Sequence, residues 1–432
     1  MENNVNNIKE SYLCYGCGLC TVVCPKEAIT MKYDAIGRLM PDIDDSKCVN
    51  CGLCANNCSS LDKKGIQLPI AADSFVGNFI NVYIGKSKDD FIYKNGQSGG
   101  VVTSILKYLF DTGKIDGAII CQVDYYTTEY IPKAIVATSV SELYACQGSS
   151  YVPVDMISAV KEIKNLKSIA VVGTGCHIEA YHALESFKSK YRDIITYKLG
   201  LICDRTLCRT VTNVLEKDIF KTELRKIVWR DKSKDYKRAS LKILTNKGTE
   251  KELPRWQRMV LKDPFTNPRC RICFDKLAVH ADIVLGDPWG MEGVNWKYGD
   301  NVVITRTAKG QETIEDMIKD SYINVKHANI ESLLSGQHIG KRKDTVSCAL
   351  RYYLDNNWLI PTYSSSLGIS SHINGDLYDK ITCFVKDTML SKNEIIHKNI
   401  ELLRKEHLKH TPLYQLLIRS VKYPFKFFRK TL

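Results

Sequence analysis

The sequence predicts an α+β protein in which a small cysteine-rich N-terminal module precedes a mixed α/β core and a helical C-terminal tail. Three observations predict this architecture. Eight of the 17 cysteines lie between Cys14 and Cys58, strand-like and helix-like runs alternate over residues 79–335, and beyond residue 335 only helices with short apolar stripes remain. Such alternation is typical of a core built on a mixed or parallel sheet.

Composition places the chain among soluble globular proteins. Its 432 residues are 44% hydrophobic and 25% charged, which excludes collagen-like, fully disordered and coiled-coil proteins. The N-terminus lacks a charged-then-apolar export signal, and no apolar run approaches the ~18 residues of a membrane-spanning helix. Because 17 is odd, the cysteines cannot all form disulfides within the chain. The sequence therefore predicts a cytoplasmic protein of roughly two to four domains whose thiols bind metal or exchange electrons.

The N-terminal module, residues 1–62, contains two cysteine runs with the spacing C-x2-C-x2-C-x3-C, which begin at Cys14 and Cys48. In such a pair, the first three cysteines of each run bind one [4Fe-4S] cube and the fourth binds the other cube. Zinc sites usually have two CxxC pairs instead. The runs resemble the bacterial two-cluster ferredoxin fold, with a hairpin predicted over residues 28–43. The predicted ligands are set I, Cys14, Cys17, Cys20 and Cys58, and set II, Cys48, Cys51, Cys54 and Cys24.

Hydrophobic periodicity predicts the elements beyond a linker at residues 63–78, which is punctuated by glycine and proline. The alternation continues to about residue 335, and residues 336–432 form the helical extension. Strands are predicted at 81–85, 117–123, 135–138, 168–173, 194–203, 281–286 and 301–307, with antiparallel strands over 226–253. Helices are predicted at 99–111, 155–165 and 177–188.

Two glycine motifs precede predicted helices. Gly99 and Gly100 open the first helix of the core, where free backbone amides would suit a phosphate, or where Ser98 would simply cap a tight turn. Gly173 follows a strand and begins a turn that only weakly matches a dinucleotide fingerprint. The neighbouring Cys176 lies beside a histidine, but no third group is evident that would orient a thiol nucleophile.

A CxxC pair, Cys270 and Cys273, follows a proline-led turn and indicates a metal or redox site. Two further cysteines would complete a cube or a zinc site. The candidates are Cys176, Cys203 and Cys208, each of which lies near the end of a predicted strand or in the loop after it.

Four ordered motifs make a family resemblance specific: QSGGVVTSIL, GTGCHI, GLIC and CRICFD…ADIVLGDPWG. Together they resemble the beta subunits of coenzyme F420-reducing hydrogenases and dehydrogenases, with an N-terminal-like region at 79–165 and a C-terminal-like region at 166–335. The resemblance implies that the core binds FAD and one further [4Fe-4S] cluster. It implies a ligand set III of Cys176, Cys203, Cys270 and Cys273, with Cys208 as a rival for Cys176 or Cys203.

The resemblance implies a flavin-dependent iron–sulfur oxidoreductase. Such a protein passes electrons between ferredoxin-type clusters and coenzyme F420 or another organic ring through FAD. The candidate FAD contacts are Gly99, Gly100, Val101, Gly173 and Thr174. Two alternatives stay open: a non-catalytic electron-transfer subunit of a partner enzyme, including one that modifies surface polysaccharide, and a structural iron–sulfur module without turnover.

Charge is unevenly distributed along the chain. Residues 1–62 hold 5 basic and 8 acidic residues, whereas residues 221–258 hold 13 basic and 5 acidic residues. A basic surface beside the substrate would suit a small anionic hydride carrier or an acidic redox partner protein, or the stretch would simply form a solvated charged hairpin. No nucleic-acid-binding motif accompanies it. Residues 413–432 mix five basic residues with aromatic and aliphatic ones. This tail predicts either peripheral contact with the inner face of a membrane or packing on protein.

Overall fold

The computed structural model describes residues 4–62, 73–123, 132–233, 236–237, 239–367 and 373–387, together with 401 and 405. The strands are β1 (Ile29–Tyr33), β2 (Leu39–Ile43), β3 (Asn81–Ser87), β4 (Gly117–Gln122), β5 (Lys133–Ala137), β6 (Ile169–Thr174), β7 (Ile195–Leu201), β8 (Leu224–Asp231), β9 (Ser240–Thr245), β10 (Glu250–Leu253), β11 (Ile283–Gly286), β12 (Asn301–Thr305) and β13 (Ile323–His327). The α-helices are α1 (Asn6–Glu10), α2 (Leu19–Val23), α3 (Leu53–Asn56), α4 (Asp90–Asn95), α5 (Val101–Asp111), α6 (Val140–Ala145), α7 (Gly175–Phe187), α8 (Lys190–Ile194), α9 (Thr210–Val214), α10 (Arg255–Val260), α11 (Ala308–Lys319), α12 (Ile330–Gly336), α13 (Ile339–Asp355) and α14 (Gly375–Asp387). Short 3-10 helices span Ser158–Glu162, Pro268–Arg271 and Thr362–Leu367, and a π-helical turn spans Leu215–Phe220.

The N-terminal module repeats one local structure. Each cysteine run contains a short helix, α2 or α3, that begins directly after a glycine with positive φ, Gly18 at 85° or Gly52 at 76°. Residues with a side chain rarely adopt this backbone conformation, so glycine is required at both turns. Between the runs, β1 and β2 pair antiparallel with Ile29 opposite Ile43. This pairing confirms the predicted hairpin.

An eight-stranded mixed sheet forms the centre of the molecule, in the order β13-β3-β12-β11-β7-β6-β4-β5. The neighbouring strands β4, β6, β7 and β11 are parallel, and the predicted mixed α/β core is confirmed. Helices α5 and α11 cover one face of the sheet, and α7, α13 and the N-terminal module pack against the other. Because parallel strands end at the same edge, the loops that follow β6, β7 and β11 lie side by side, where α/β sheets commonly bind ligands.

A second, three-stranded sheet is formed by β8, β9 and β10. Both of its strand pairs are antiparallel, which confirms the prediction for residues 226–253. Its buried face includes Trp229 and Leu241, which pack with Val211 and Val214 of α9. Arg230 of β8 bonds Asp287, directly after β11, so this sheet adjoins the end of that central strand.

The segment before β6 differs from its prediction. A helix was expected over residues 155–165, but the structure forms only the short 3-10 helix Ser158–Glu162. The backbone N–H of Ile157 donates to the carbonyl of Cys17 at 2.9 Å, and the N–H of Ser158 donates to the Asp155 carboxylate at 3.1 Å. The first bond holds the segment against the N-terminal module and the second forms a local turn, so its first residues do not enter an α-helix.

The end of the predicted linker is packed rather than exposed. Residues 63–72 lie outside the described residues, but Phe75 is only 1% exposed and meets Phe274 edge-on with 6.1 Å between ring centroids. Contact with the core therefore resumes well before residue 79.

The C-terminal extension closes over the N-terminal module. The Tyr353 hydroxyl in α13 donates to the carbonyl of Tyr12 at 3.1 Å, and the N–H of Thr362 donates to the carbonyl of Leu61 at 2.8 Å. The predicted basic tail, residues 413–432, lies outside the described residues. Within the described part of the chain, no helix is both long and apolar enough to cross a bilayer.

Candidate functional site

Set II surrounds a pocket at the surface of the N-terminal module. All four predicted cysteines line it, together with Pro25 and Lys26. Cys51 is exposed, whereas Cys54 is only 8% exposed. About 330 Å³ of this pocket, including its open mouth, is free of protein atoms. The structure therefore brings the two runs together as their spacing predicts, at a point that a partner molecule can approach.

Set I surrounds a second pocket on the inner side of the module. Its four cysteines line this pocket together with Tyr15 and Met31. Burial and the proximity of Cys58 raise the pKa of the Cys14 thiol to about 12, against weaker lowering effects of the Gly16 backbone, Arg38 and Lys9. Thiols that converge and disfavour one another's ionisation are expected where a bound cation compensates the thiolate charge.

Tyr15 connects set I to the core. Its side chain is 6% exposed, and its hydroxyl donates to the carbonyl of Cys176 at 2.8 Å. The same hydroxyl shares a hydrogen bond with Ser59, the residue after Cys58. One side chain thus joins a set I ligand segment to a set III ligand segment.

Set III is assembled from three distant segments. Cys176 lies in the first turn of α7, Cys203 follows β7, and Cys270 and Cys273 lie in and just after the 3-10 helix Pro268–Arg271. Burial raises the pKa of Cys176 well above its usual value, and the thiols of Cys273, Cys203 and Cys270 act in the same direction. The fold therefore places the four thiols within electrostatic reach of one another.

Cys208 occupies a different environment from Cys203. It is 3% exposed, and after burial its main charged neighbours are Arg38 and Asp34, ahead of Cys270. After burial, the main charged neighbours of Cys203 are Cys270 and Cys273. These neighbours favour Cys203 over Cys208 as the ligand that joins Cys176, Cys270 and Cys273 in the proposed set III.

The loops around set III supply sulfur hydrogen bonds and close packing. The N–H of Thr206 donates to the Cys270 sulfur at 3.4 Å, and the Thr174 hydroxyl lies 3.1 Å from the Cys176 sulfur. Such bonds favour thiolate ligands and tune the clusters they bind. At Gly175, an added Cβ would lie 2.7 Å from the carbonyl oxygen of Asp275, so only glycine allows α7 to approach the CxxC loop this closely.

The fit to clusters rests on these convergent cysteines. Among the described residues, no three or more His, Cys, Asp or Glu side chains are arranged to hold a metal ion between them. A [4Fe-4S] cube places a different iron at each thiolate, so its ligands surround a space. The cysteine-lined pockets of sets I and II provide such a space, and the residues present fit the group.

Two of the sequence motifs meet beside this centre. The Ser98 hydroxyl of the QSGG motif and the Arg230 guanidinium both donate to the carboxylate of Asp287 in the DPWG motif. The Tyr236 hydroxyl donates to the same carboxylate. Trp289 follows and stacks on Trp296 with 5.3 Å between ring centroids. An aromatic and charged surface therefore lies at the end of β11.

The glycines of the QSGG motif have a packing role in this structure. A Cβ at Gly99 would lie 2.8 Å from the backbone nitrogen of Asn301. The N–H of Val101 donates to the Asn301 side chain at 3.0 Å, so this amide is already bonded within the protein. Gly173 and Thr174 lie at the Cys176 turn instead. Contact with FAD stays a prediction for the whole group, Gly99, Gly100, Val101, Gly173 and Thr174.

A cluster of buried cations lies between the Asp287 network and set III. This basic cluster consists of Arg205, Arg230, Arg258 and Lys262. Burial, together with Arg258, Arg205 and Arg230, lowers the pKa of Lys262 to about 8 despite the opposing effect of Asp204. The Nε atom of Arg258 and the Nη2 atom of Arg230 have no hydrogen-bond partner among the described residues. Between them, these four cations have the carboxylates of Asp204, Asp263 and Asp287 as partners. Such an excess of positive charge fits an anionic ligand.

Sequence reasoning located the basic stretch but not this cluster. The charge excess over residues 221–258 identified the region without separating solvated lysines from buried arginines. The useful signal was the spacing of Arg255, Arg258 and Lys262, which places three cations on one side of α10 and its end. Arg205 carried no comparable signal, because only the tertiary fold brings it to the cluster; its Nε lies 2.9 Å from Asp204.

Comparison with known families follows the same division of the chain. Models of the coenzyme F420 hydrogenase/dehydrogenase beta subunit match residues 82–161 with the N-terminal part and residues 166–331 with the C-terminal part. The chain belongs to this family. A model of the 4Fe-4S dicluster domain matches residues 13–60, which contain both cysteine runs and support two [4Fe-4S] clusters. The resemblance expected from the four motifs is thereby confirmed.

Relatives of this beta-subunit family member include proteins of methanogens. An uncharacterized protein of Methanocaldococcus jannaschii is 27% identical over 383 residues, covering 79% of this chain and 98% of the relative. An F(420)H(2) dehydrogenase component of Methanosarcina mazei is 28% identical over 336 residues, covering 74% and 86%. A chain from the F420-reducing [NiFe] hydrogenase complex of Methanosarcina barkeri has a TM-score of 0.53 at 20% identity, covering 67% of this chain and 98% of that chain. The last comparison shows a shared fold.

Proposed function

We propose that this family member is a flavin-dependent iron–sulfur oxidoreductase that acts on coenzyme F420 or a similar anionic organic ring. The observation that carries the proposal is the position of set III. Its four cysteines adjoin set I through Tyr15 on one side and the basic cluster through Asp204 on the other. A one-electron module and a ligand site for an organic anion thus meet at one centre.

The order of the cysteine sets suits electron entry from outside. Set II includes the exposed Cys51, set I lies on the inner side of the module, and set III lies in the core. The Tyr15 bond between the Cys58 and Cys176 segments gives a short, packed connection between sets I and III. We therefore place the contact with a redox partner protein at set II.

The basic cluster is the proposed holding site for FAD phosphates. FAD supplies the exchange of a hydride with an organic molecule and of single electrons with iron–sulfur clusters. Arg230, Arg258 and Lys262 would neutralise its phosphates, and the unpartnered nitrogens of the two arginines supply free donors. The Asp287 carboxylate fixes the orientation of Arg230, since it accepts a hydrogen bond from its guanidinium.

Two features support an anionic ring of the F420 type as the organic partner. The aromatic pair of Trp289 and Trp296 offers a flat surface, and the guanidinium of Arg255 lies 5.7 Å from the Trp289 ring centroid. The family and its named relatives are F420 proteins. The chemistry of the site therefore matches a ring with a negatively charged tail.

Anaerobic purification with iron, sulfide and flavin analysis tests this proposal. Three cubes would give about 12 irons per chain, and one FAD should accompany them. Reduced F420 should then bleach the flavin and cluster absorbance, whereas reduced nicotinamide serves as the comparison donor. A preparation with about 12 irons but no flavin, and no bleaching by reduced F420, would contradict the proposed function.

A non-catalytic subunit is the second candidate. Curated relatives include proteins named as subunits of larger F420 enzymes, and the surface position of set II suits a stable partner. Affinity purification from the native host separates the two candidates. A subunit should copurify with its partner and gain activity only in the complex, whereas the proposed oxidoreductase should reduce an artificial electron acceptor alone.

A further inference from the structure

Arg269 is a buried cation beside the junction of sets I and III. It lies in the 3-10 helix Pro268–Arg271 and is 3% exposed. Its Nη2 donates to the Tyr363 hydroxyl at 2.6 Å. Its Nε and Nη1 atoms have no hydrogen-bond partner among the described residues. A buried guanidinium with two unused donors is costly unless negative charge lies close to it.

The arginine is tied to both ligand systems. On the set III side it directly precedes Cys270, and it lowers the pKa of Cys273 against the dominant effect of burial. On the set I side it also acts to lower the pKa of the Cys58 thiol. Its partner Tyr363 belongs to the 3-10 helix whose first residue bonds the carbonyl of Leu61, three residues after Cys58. The same guanidinium therefore lies within electrostatic reach of thiols in both sets, with a stronger effect on Cys273 than on Cys58.

Two other arginines, Arg342 and Arg38, provide a comparison, because each acts on thiols of one set. Arg342 donates from Nε to the carbonyl of Cys273 at 2.8 Å. It also acts to lower the pKa of the Cys203 and Cys273 thiols. Arg38 acts on Cys14 in set I. These two arginines provide matched references for a residue that acts on thiols of both sets.

We infer that Arg269 is a shared counter-charge for the clusters of sets I and III, which raises both reduction potentials and lessens the repulsion between electrons held on the two clusters. The inference rests on the proposed third cluster. A four-thiolate cube carries a charge of about −2 when oxidised and about −3 when reduced. A fixed cation near both cubes stabilises the added charge on each. Two clusters that each hold one added electron would, on reoxidation, supply the electron pair of one hydride, and the proton would come from solvent.

The experiment is an EPR-monitored redox titration of the anaerobically purified full chain, with dithionite as reductant. Arg269→Gln should lower the potentials of both clusters and widen the gap between their two titrations. Arg269→Lys keeps the charge on a different head group, so it should lower both potentials by a smaller amount than Arg269→Gln does. Arg342→Gln should lower the potential of set III alone, and Arg38→Gln that of set I alone.

Each result decides between a shared and a local role. A full iron content with only one potential shifted in Arg269→Gln overturns the inference and leaves the proposed function intact. If Arg269→Gln loses iron, Arg269→Lys decides instead: shifts in both potentials support the inference, and a shift in only one overturns it. A wild-type protein with about 8 irons per chain lacks the third cluster and overturns both the inference and the proposed function.

Discussion

The N-terminal module and the core assemble their predicted ligand sets by opposite routes. In the module, all eight cysteines fall between Cys14 and Cys58, and each is placed by local spacing and a glycine turn. In the core, Cys176, Cys203 and the Cys270–Cys273 pair come from segments that only the sheet and the loops after it bring together. The difference teaches that the module's ligands are specified locally, whereas set III depends on the tertiary fold.

The two regions also differ in exposure and neighbouring charge. Cys51 of set II is exposed at the surface. Set III lies beside the basic cluster, where Lys262 is one of several crowded cations. The module is thus suited to electron exchange with a partner, and the core to an anionic ligand. Substitutions confined to one region, with the clusters of both regions measured, therefore test this difference.

The largest expected effect is the loss of one cluster from the core. Cys203→Ser removes a thiolate from set III, so iron should fall from about 12 to about 8 per chain, with the two module clusters retained. Bleaching of the module clusters by reduced F420 should disappear, because the connection between organic ligand and module is lost, whereas bound flavin should still be bleached. Iron analysis and EPR spectra of the reduced protein measure both effects.

Cys208→Ser is the matched control for this variant. Cys208 is buried near Arg38 and Asp34 rather than among the set III thiols, so the substitution should leave the iron content unchanged. Loss of four irons in Cys208→Ser and none in Cys203→Ser would reverse the assignment of these two residues.

A steric change should separate fold-dependent from local assembly. In Gly175→Ala, the new Cβ would press on the Asp275 side chain and on its carbonyl oxygen, which pushes α7 away from the CxxC loop. We expect most of the set III iron to be lost and the iron of sets I and II to remain. Mössbauer or EPR quantification of each cluster gives the ratio of set III clusters to the clusters of sets I and II.

Gly340→Ala is the control for that substitution. Nothing lies within 4 Å of a Cβ built on Gly340 in α13, and alanine is favoured over glycine in a helix by roughly 0.5–1 kcal/mol. This variant should keep all its iron and unfold at a slightly higher temperature. Equal iron loss in the two glycine variants would mean that cluster content follows general stability.

The sequence predicted the locally specified parts of the molecule well. The hairpin between the cysteine runs, the mixed core and the antiparallel strands over 226–253 followed from periodicity and spacing. The helix predicted over residues 155–165 forms only as the short 3-10 helix Ser158–Glu162, because the preceding residue, Ile157, makes a tertiary contact with Cys17. Local pattern contains no information about such a partner.

The candidate site was predictable only in part for the same reason. The CxxC pair identified Cys270 and Cys273, but spacing alone left Cys203 and Cys208 as equal candidates until their neighbours were known. The interaction of Ser98 with Asp287 joins two motifs that are far apart in the chain. Buried cations such as Arg230 cannot be distinguished from solvated ones without the fold.

A pH dependence should distinguish the basic cluster from the surface charge of the chain. The pKa of Lys262 is about 8, lowered by burial and by Arg258, Arg205 and Arg230 and opposed by Asp204. Lys262 is therefore charged at pH 7 and neutral at pH 9. Loss of one charged hydrogen bond costs about 1.5–3 kcal/mol, and titration of this single group should weaken FAD binding by up to about tenfold across this range. Flavin fluorescence titration of the flavin-free protein measures the dissociation constant.

Substitution of the lysine gives the reference for this titration. Lys262→Ala should bind FAD weakly at pH 7 and lose most of the pH dependence. Lys247→Ala, at an exposed position in the β9–β10 turn, should behave as the unsubstituted protein does. A wild-type affinity that is flat between pH 7 and pH 9 would place the phosphates elsewhere.

The smallest expected effect concerns how the module is held on the core. Tyr353→Phe removes the hydroxyl that donates to the carbonyl of Tyr12, at a cost of about 1 kcal/mol. Tyr83→Phe removes a comparable bond from Gln311 within the central sheet. Both should lower the unfolding temperature slightly, but only Tyr353→Phe should speed hydrogen exchange and proteolysis within residues 4–62. If both variants loosen the module equally, it is stabilised by the sheet as a whole, and the two regions unfold as one unit.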